Sequence, residues 1–317
     1  MLCHVAALAT LLTTTGTVEK PSPSHQVRHV VVARGVQLEV LDWGGGGPTM
    51  VFLAGFGDTG HVFDDFAPQF TDHYHVVAIT RRGFGASGRP RTGYDTNTLA
   101  ADIVSILDSL AIHRATFVGH SFAGSELSYL GAFHADRVTR LVYLDASYDF
   151  ARLYADSIWK NAFPIPRPPA PTTNDIDQWR RWFSLVIGPA LPDEEIRALR
   201  ADVSSAALID SLERGAAPVD FSRIKSPALA LWADPHSGAD QYPYFSSLDP
   251  GSRERLQASF TAQQSVRRTH LAEFREQIPH ADIVLVPGGR HYVFLSHPRL
   301  VADAIRAFLA RQRAQPN

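Results

Sequence analysis

The stretch Val118-Gly119-His120-Ser121-Phe122-Ala123-Gly124 constrains this chain more than any other. An apolar, β-rich run, Ala115-Thr116-Phe117-Val118, precedes it, and a helical pattern with Ala123, Leu127 and Leu130 on one face follows. A strand that stops at a sharp turn and continues as a helix leaves a serine at the turn with its hydroxyl exposed. Glycines at the turn let the backbone fold tightly behind it. The amide of Phe122, at the helix start, then points to where negative charge on an oxyanion would form. An ordinary strand-turn-helix with a capping serine has the same short pattern, so the stretch needs support from the rest of the chain.

That support comes from an alternation of strands and helices. Val27 to Ala33 and Val36 to Leu41 are β-branched runs joined by Arg34-Gly35, a hairpin pattern. Thr49 to Leu53 and His75 to Ile79 are continuous apolar runs, as buried parallel strands require. Leu99, Ile103, Ile106 and Leu110 lie on one helical face. Further strands read at Leu141 to Leu144, Ala228 to Trp232 and Ile283 to Val286, and a closing helix carries Leu300, Val301, Ile305, Phe308 and Leu309. The pattern predicts an α/β fold with a mostly parallel central sheet and helices on both faces. Between Asp145 and Pro227 no strand is legible. A proline-rich segment from Phe163 to Pro171 leads into helical patterns around Ile176 to Val186 and from Asp193 to Leu212. Residues 146–220 are therefore expected to form a helical insert, with 27–145 and 221–317 as the body. The aromatics Trp159, Phe163, Trp179, Trp182 and Phe183 are expected mostly to pack the insert on the body, with one or two lining a pocket. From Ser237 to Pro279 we expect a loop and then a helix bearing Leu256, Phe260, Leu271, Phe274 and Ile278.

Composition narrows the function classes. The 317 residues are 45% hydrophobic and 20% charged, which is globular. A net charge of −2 without a basic block argues against nucleic-acid binding. No apolar run reaches the roughly 18 residues of a membrane span. Cys3 is the sole cysteine, so neither a disulfide framework nor a cysteine metal site is available. Residues 1–26 read as a leader outside the fold, disordered or a secretory signal. A cytoplasmic protein is expected, or a secreted or periplasmic one if the leader is a signal peptide.

Four segments occur in a telling order. They are the turn at Ser121, the loop Ala54-Gly55-Phe56-Gly57, the loop Arg82-Gly83-Phe84-Gly85-Ala86-Ser87, and Pro287-Gly288-Gly289-Arg290-His291-Tyr292 after the last strand. Together they resemble the α/β-hydrolase family, whose nucleophile elbow reads G-x-S-x-G. Ala123 stands here for its last glycine, and Gly124 follows at once. The resemblance spans roughly residues 27–145 and 221–315. It implies that Ser121 is a nucleophile, that His291 is its base, and that the insert is a cap. It implies an oxyanion hole from the amides of Phe56 and Phe122. The family's His-Gly-x loop has Ala54 in place of its histidine, so a supporting hydrogen bond is expected to be lost. The Arg-Gly loop resembles the family's D-x-R-G-x-G-x-S, with Thr80 replacing the acid, and is taken as structural. His120 is also taken as structural, and His280 and His297 as surface or capping residues.

Chain order allows two places for the acid that orients the base. Asp145 ends the strand after the elbow, 24 residues beyond Ser121, where the haloalkane-dehalogenase-like branch carries it. Asp234 ends the strand before the last, where many family members carry it, although the usual catalytic position of that pattern is His236. Asp145 is preferred to Asp234, with Asp149 and Asp240 behind. The expected activity is hydrolysis of a small to medium hydrophobic ester or lactone through an acyl-enzyme on Ser121, with water as co-substrate and no cofactor or metal. Two alternatives stay open. One is an amidase, aminopeptidase-like or carbon–carbon bond hydrolase, with Asp175 or Glu194-Glu195 supplying an acidic pocket for a substrate amine. The other is a non-catalytic binding protein on the same fold. Oligomeric state is not legible.

Overall fold

A computed structural model describes residues 25–162, 166–201 and 206–313. The leader before His25 and the segment from Phe163 to Ile165 lie outside the described residues. Eight strands form one sheet: β1 (Gln26–Val31), β2 (Gln37–Gly44), β3 (Thr49–Leu53), β4 (His75–Ile79), β5 (Ala115–His120), β6 (Val138–Leu144), β7 (Ala228–Asp234) and β8 (Asp282–Pro287). Their order is β1-β2-β4-β3-β5-β6-β7-β8. The β1–β2 and β2–β4 pairs are antiparallel, and every later pair is parallel. The first strand starts at Gln26, one residue earlier than the sequence pattern suggests.

Helices α1 (Thr96–Ser109) and α2 (Ala123–Phe133) flank the sheet. Between β6 and β7 lie α3 (Phe150–Ala155), α4 (Ser157–Asn161), α5 (Ile176–Ile187), α6 (Asp193–Ala201) and α7 (Ala206–Gly215). Then come α8 (Gly238–Gln241), the long α9 (Pro250–Gln277), α10 (Val293–Ser296) and α11 (Pro298–Arg313). The sequence pattern missed α3 and α4. Each is shorter than two turns and starts from an aspartate cap, Asp149 or Asp156, and not from an apolar stripe. It also ran α6 and α7 together as one helical stretch. No described helix is long and apolar enough to cross a membrane.

Alternation along the buried strands feeds two cores. Val51 and Leu53 of β3 face a core with Ile103 and Ile106 of α1 and Leu127 of α2. Met50 and Phe52 face the other, with Phe63, Phe66 and α11 residues Val301 and Ile305. That is the period-two signature of a sheet covered on both sides. Phe183, Leu191 and Ile196 of the insert join the second core, so the insert is anchored in it.

Glycine requirements mark where strand β5 turns into α2. A Cβ on Gly119 would come 2.6 Å from Leu127 Cδ1. A Cβ on Gly124 would overlap the carbonyl oxygen of Ala146, a backbone atom that cannot swing aside. Gly124 is thus the position where glycine is obligatory, while Ala123 is accommodated and fully buried. Denaturant titration is expected to show Gly124→Ala losing at least about 3 kcal/mol or failing to fold. Ala123→Gly should lose only about 1 kcal/mol, the helix-propensity difference.

Candidate active site

The ends of three parallel strands bring distant residues together. Ser121 follows β5 with φ of 53°, and Asp145 follows β6 with φ of 48°. This left-handed region is unusual outside glycine and costs about 1–3 kcal/mol at each residue. Ser121 N–H donates to Leu144 O at 3.2 Å, and Asp145 N–H donates to Leu231 O at 2.8 Å. The neighbouring strands thereby fix both turns. His291 arrives from the loop after β8. Its Nε2 lies 2.8 Å from Ser121 Oγ, and its Nδ1 lies 2.8 Å from Asp145 Oδ2. With the ring proton on Nδ1, His291 donates to the carboxylate and accepts from the serine hydroxyl.

Asp145 is 2% exposed, yet its other oxygen is well supplied with donors. Oδ1 accepts from Arg267 Nη2 at 2.7 Å, from the Ala233 amide at 3.1 Å and from Tyr148 O–H at 3.2 Å. Arg267, in the middle of α9, also donates to Tyr148 Oη at 2.9 Å and to Ala233 O at 2.8 Å. Burial alone would raise the Asp145 pKa. The Arg267 charge, then His291, more than offset it and hold the carboxyl below the usual range. A depressed carboxylate stabilises the fold above pH about 4 and loses that contribution as pH falls through its lowered pKa. Sequence reasoning missed Arg267, because nothing in a helical pattern tells which polar residue turns inward.

The other acids lie elsewhere. Asp234 makes no hydrogen bond to His291; its carbonyl accepts from Gly288 N–H at 2.9 Å. Asp149 caps α3, and Asp240 accepts from the His236 amide at 3.1 Å. His120 is buried beneath the site. Its Nε2 donates to the carbonyl of His291 at 3.1 Å, which ties β5 to the His291 loop. Burial lowers its pKa. His280 Nε2 faces Ser226 O at 3.3 Å, and His297 Nδ1 faces Ser296 Oγ at 3.1 Å.

Two backbone amides near Ser121 are unspent. Among the described residues, neither Phe56 N–H nor Phe122 N–H donates to a protein acceptor. The loop carrying Phe56 presses against the elbow: a Cβ on Gly55 would lie 3.1 Å from Ser121 Cβ and 2.8 Å from His120 Nδ1. The missing histidine at Ala54 does not leave this loop unsupported. Arg81 donates through Nη1 to Gly55 O at 3.0 Å and through Nη2 to Ala54 O at 2.9 Å. The same guanidinium forks onto Glu126 of α2 at 2.8 and 2.6 Å and lies 5.2 Å from the Phe122 ring. Arg82, the arginine of the motif, instead pairs with Asp102 of α1 at 2.6 Å.

The family model described as Alpha/beta hydrolase family matches residues 50–304. The chain belongs to that family. The 2-(acetamidomethylene)succinate hydrolase of Mesorhizobium japonicum is 26% identical over 267 residues, 84% of this chain and 89% of that protein. Epoxide hydrolase A of Mycobacterium tuberculosis is 36% identical over a shorter stretch of 119 residues, 36% of this chain and 37% of that one. The crystal structure of E-2-(acetamidomethylene)succinate hydrolase covers 90% of this chain and 100% of its own, with TM-score 0.65 and 21% identity, a likeness of fold.

In this α/β-hydrolase a cavity of about 510 Å³ opens onto Ser121 and His291, beneath the insert. Phe150, Tyr154, Trp159, Trp182 and Phe183 form an aromatic wall. Three of the aromatics singled out in the insert therefore line it, one more than expected, while Trp179 packs on Trp182 and Phe183 instead. The acidic residues considered for an amine pocket are not in the lining. Asp175 caps α5 and is exposed, and Glu194 is exposed beside Arg197. Glu195 is fully buried and accepts from Thr59 N–H at 3.0 Å and from its hydroxyl. Burial, then the Asp58 carboxylate, push the Glu195 pKa well up. That contact anchors the insert to the loop after Phe56. One group among the described residues, His25, His61 and Asp64, has metal-ligating atoms within 4.8 Å of one another. It does not line this cavity, and His61 Nδ1 lies within hydrogen-bond distance of Asp64 Oδ2 at 3.0 Å.

Arg81 and Glu126 are 6% and 3% exposed, so removing one strands the other's charge. We expect Arg81→Met to lose about 3–5 kcal/mol. The double variant Arg81→Met/Glu126→Met should recover most of it in a double-mutant cycle read by urea unfolding.

Proposed function

We propose that this chain is a serine hydrolase that cleaves a carboxylic ester or lactone through an acyl-enzyme on Ser121. The single observation that carries the proposal is the pair of 2.8 Å contacts running from Ser121 Oγ to His291 and from His291 to Asp145. His291 takes the Ser121 proton as Oγ attacks the carbonyl carbon. The Phe56 and Phe122 amides hold the oxyanion. The leaving alkoxide departs with the proton that His291 returns. Water, deprotonated by the same ring, then attacks the acyl carbon and releases the acid and Ser121. Asp145 keeps the Nδ1 proton in place and stabilises the imidazolium. In this proposal the acid stands after the strand that follows the elbow, as in the haloalkane-dehalogenase-like branch, and residues 146–220 form the cap over a body of 27–145 and 221–317. The serine sets the chemistry apart from alkyl-enzyme formation on an aspartate. An aromatic wall suits a hydrophobic portion of the substrate.

A p-nitrophenyl ester series from acetate to decanoate tests the proposal. Wild type should turn over with a chain-length optimum, and Ser121→Ala should lose that turnover. Equal rates in both proteins would overturn the serine mechanism. Asp145→Asn should lower kcat by about 10⁴-fold, and Asp234→Asn should change it little; the opposite ranking would move the acid to Asp234.

The pH profile supplies a separate check. Arg267→Gln removes the main charge that depresses Asp145, so the Asp145 pKa rises and the acid limb of kcat/KM moves to higher pH. Arg267→Lys should restore part of the shift. An unmoved limb in both variants would show that Arg267 does not tune the carboxylate.

A further inference from the structure

The cavity at Ser121 has a second character besides its aromatic lining. Arg167, Arg267 and Arg290 line it, and Asp145 is the one carboxylate among its described lining residues. Arg267 is committed to Asp145 at 2.7 Å. Arg167 and Arg290 have no carboxylate within ion-pair distance among the described residues, whereas the insert's Arg180 and Arg197 are paired. Arg290 is half-buried and held in place. Its Nε donates to Asp240 O at 2.7 Å, and its guanidinium lies against Gly188 at the end of α5. It is also the chain neighbour of His291. Arg167 is exposed and lines the same cavity from the insert. Gln241, Gln263 and Gln264 add to this polar lining. Asp58 and Glu195 are not among the lining residues. Asp58 accepts from Tyr292 O–H at 3.1 Å, and Glu195 is held towards its neutral form.

A guanidinium in a semi-enclosed cavity without a counter-charge attracts an anion more strongly than one on open surface, because the local dielectric is lower. Its planar fork matches a carboxylate. We propose that the substrate carries a carboxylate, received by Arg290 and Arg167, in addition to the bond cleaved at Ser121. This rests on the serine-hydrolase proposal and narrows its substrate class to half-esters and related acyl compounds bearing a free acid, with their hydrophobic portion against the aromatic wall. A cationic amine substrate is disfavoured by the same charges.

The test compares mono-p-nitrophenyl adipate with its neutral counterpart, methyl p-nitrophenyl adipate, at low ionic strength. Wild type should favour the anion by at least about tenfold in kcat/KM, the worth of one charged hydrogen-bonded contact. Arg290→Gln should lower that preference about tenfold, mainly through KM, and Arg167→Gln by a smaller factor because Arg167 is exposed. Added salt should reduce the wild-type preference. A second readout does not need turnover: calorimetric binding of monomethyl adipate against dimethyl adipate to Ser121→Ala. Preference for the neutral compound in either assay, or a ratio unchanged in both arginine variants, would overturn the proposal. Hydrolysis of neither ester would count against the serine-hydrolase mechanism, and the calorimetry would still decide the carboxylate site.

Discussion

The site depends on keeping a carboxylate ionised where water cannot reach it. An isolated charge in a protein interior is strongly unfavourable, and a carboxyl group left alone there takes up a proton. Asp145 avoids this because Arg267, the Ala233 amide and Tyr148 all spend donors on one of its oxygens. The other oxygen is left for His291. Arg267 comes from a 28-residue helix on the far side of the insert in the chain, so the long α9 is part of the site and not only packing.

Around that charge the backbone is held under tension that the sheet sustains. Ser121 and Asp145 both sit at positive φ, at the ends of adjacent parallel strands. Register carries the constraint sideways: His120 pairs with Leu144, and Leu144 with Leu231. Gly124 then lets α2 seat against Ala146. Elbow and acid turn are thus packed on each other, and a shift in one displaces the other. The loop of Phe56 is tied to the same unit by Arg81, which bonds two of its carbonyls while pairing with Glu126 of the elbow helix.

Most of the body was legible in sequence, because buried parallel strands are short apolar runs and the helices between them carry one-sided stripes. Thr49–Leu53 and His75–Ile79 appear in the structure with the same bounds. The short insert helices α3 and α4 were not legible, since a single turn or two has no measurable period. At the site, Ser121 and His291 were marked by turn chemistry and chain position. The choice between Asp145 and Asp234 stayed open in sequence because it turns on which strand end faces the His291 loop, a matter of three-dimensional register. Arg81 was hidden by its neighbour: the motif directs attention to Arg82, which instead pairs with α1. Glu195 was misplaced for a related reason. A charged residue in an amphipathic insert helix reads as surface or pocket, whereas here it is buried against Thr59.

The most direct test of the central mechanism is covalent trapping. A fluorophosphonate incubated with wild type, Ser121→Ala and His291→Ala, followed by intact-mass and peptide mass spectrometry, reads nucleophile and base together. We expect one adduct on Ser121 in wild type, none in Ser121→Ala, and much slower labelling in His291→Ala. An unlabelled wild type, or an adduct at another residue, would contradict a Ser121 nucleophile activated by His291 and Asp145.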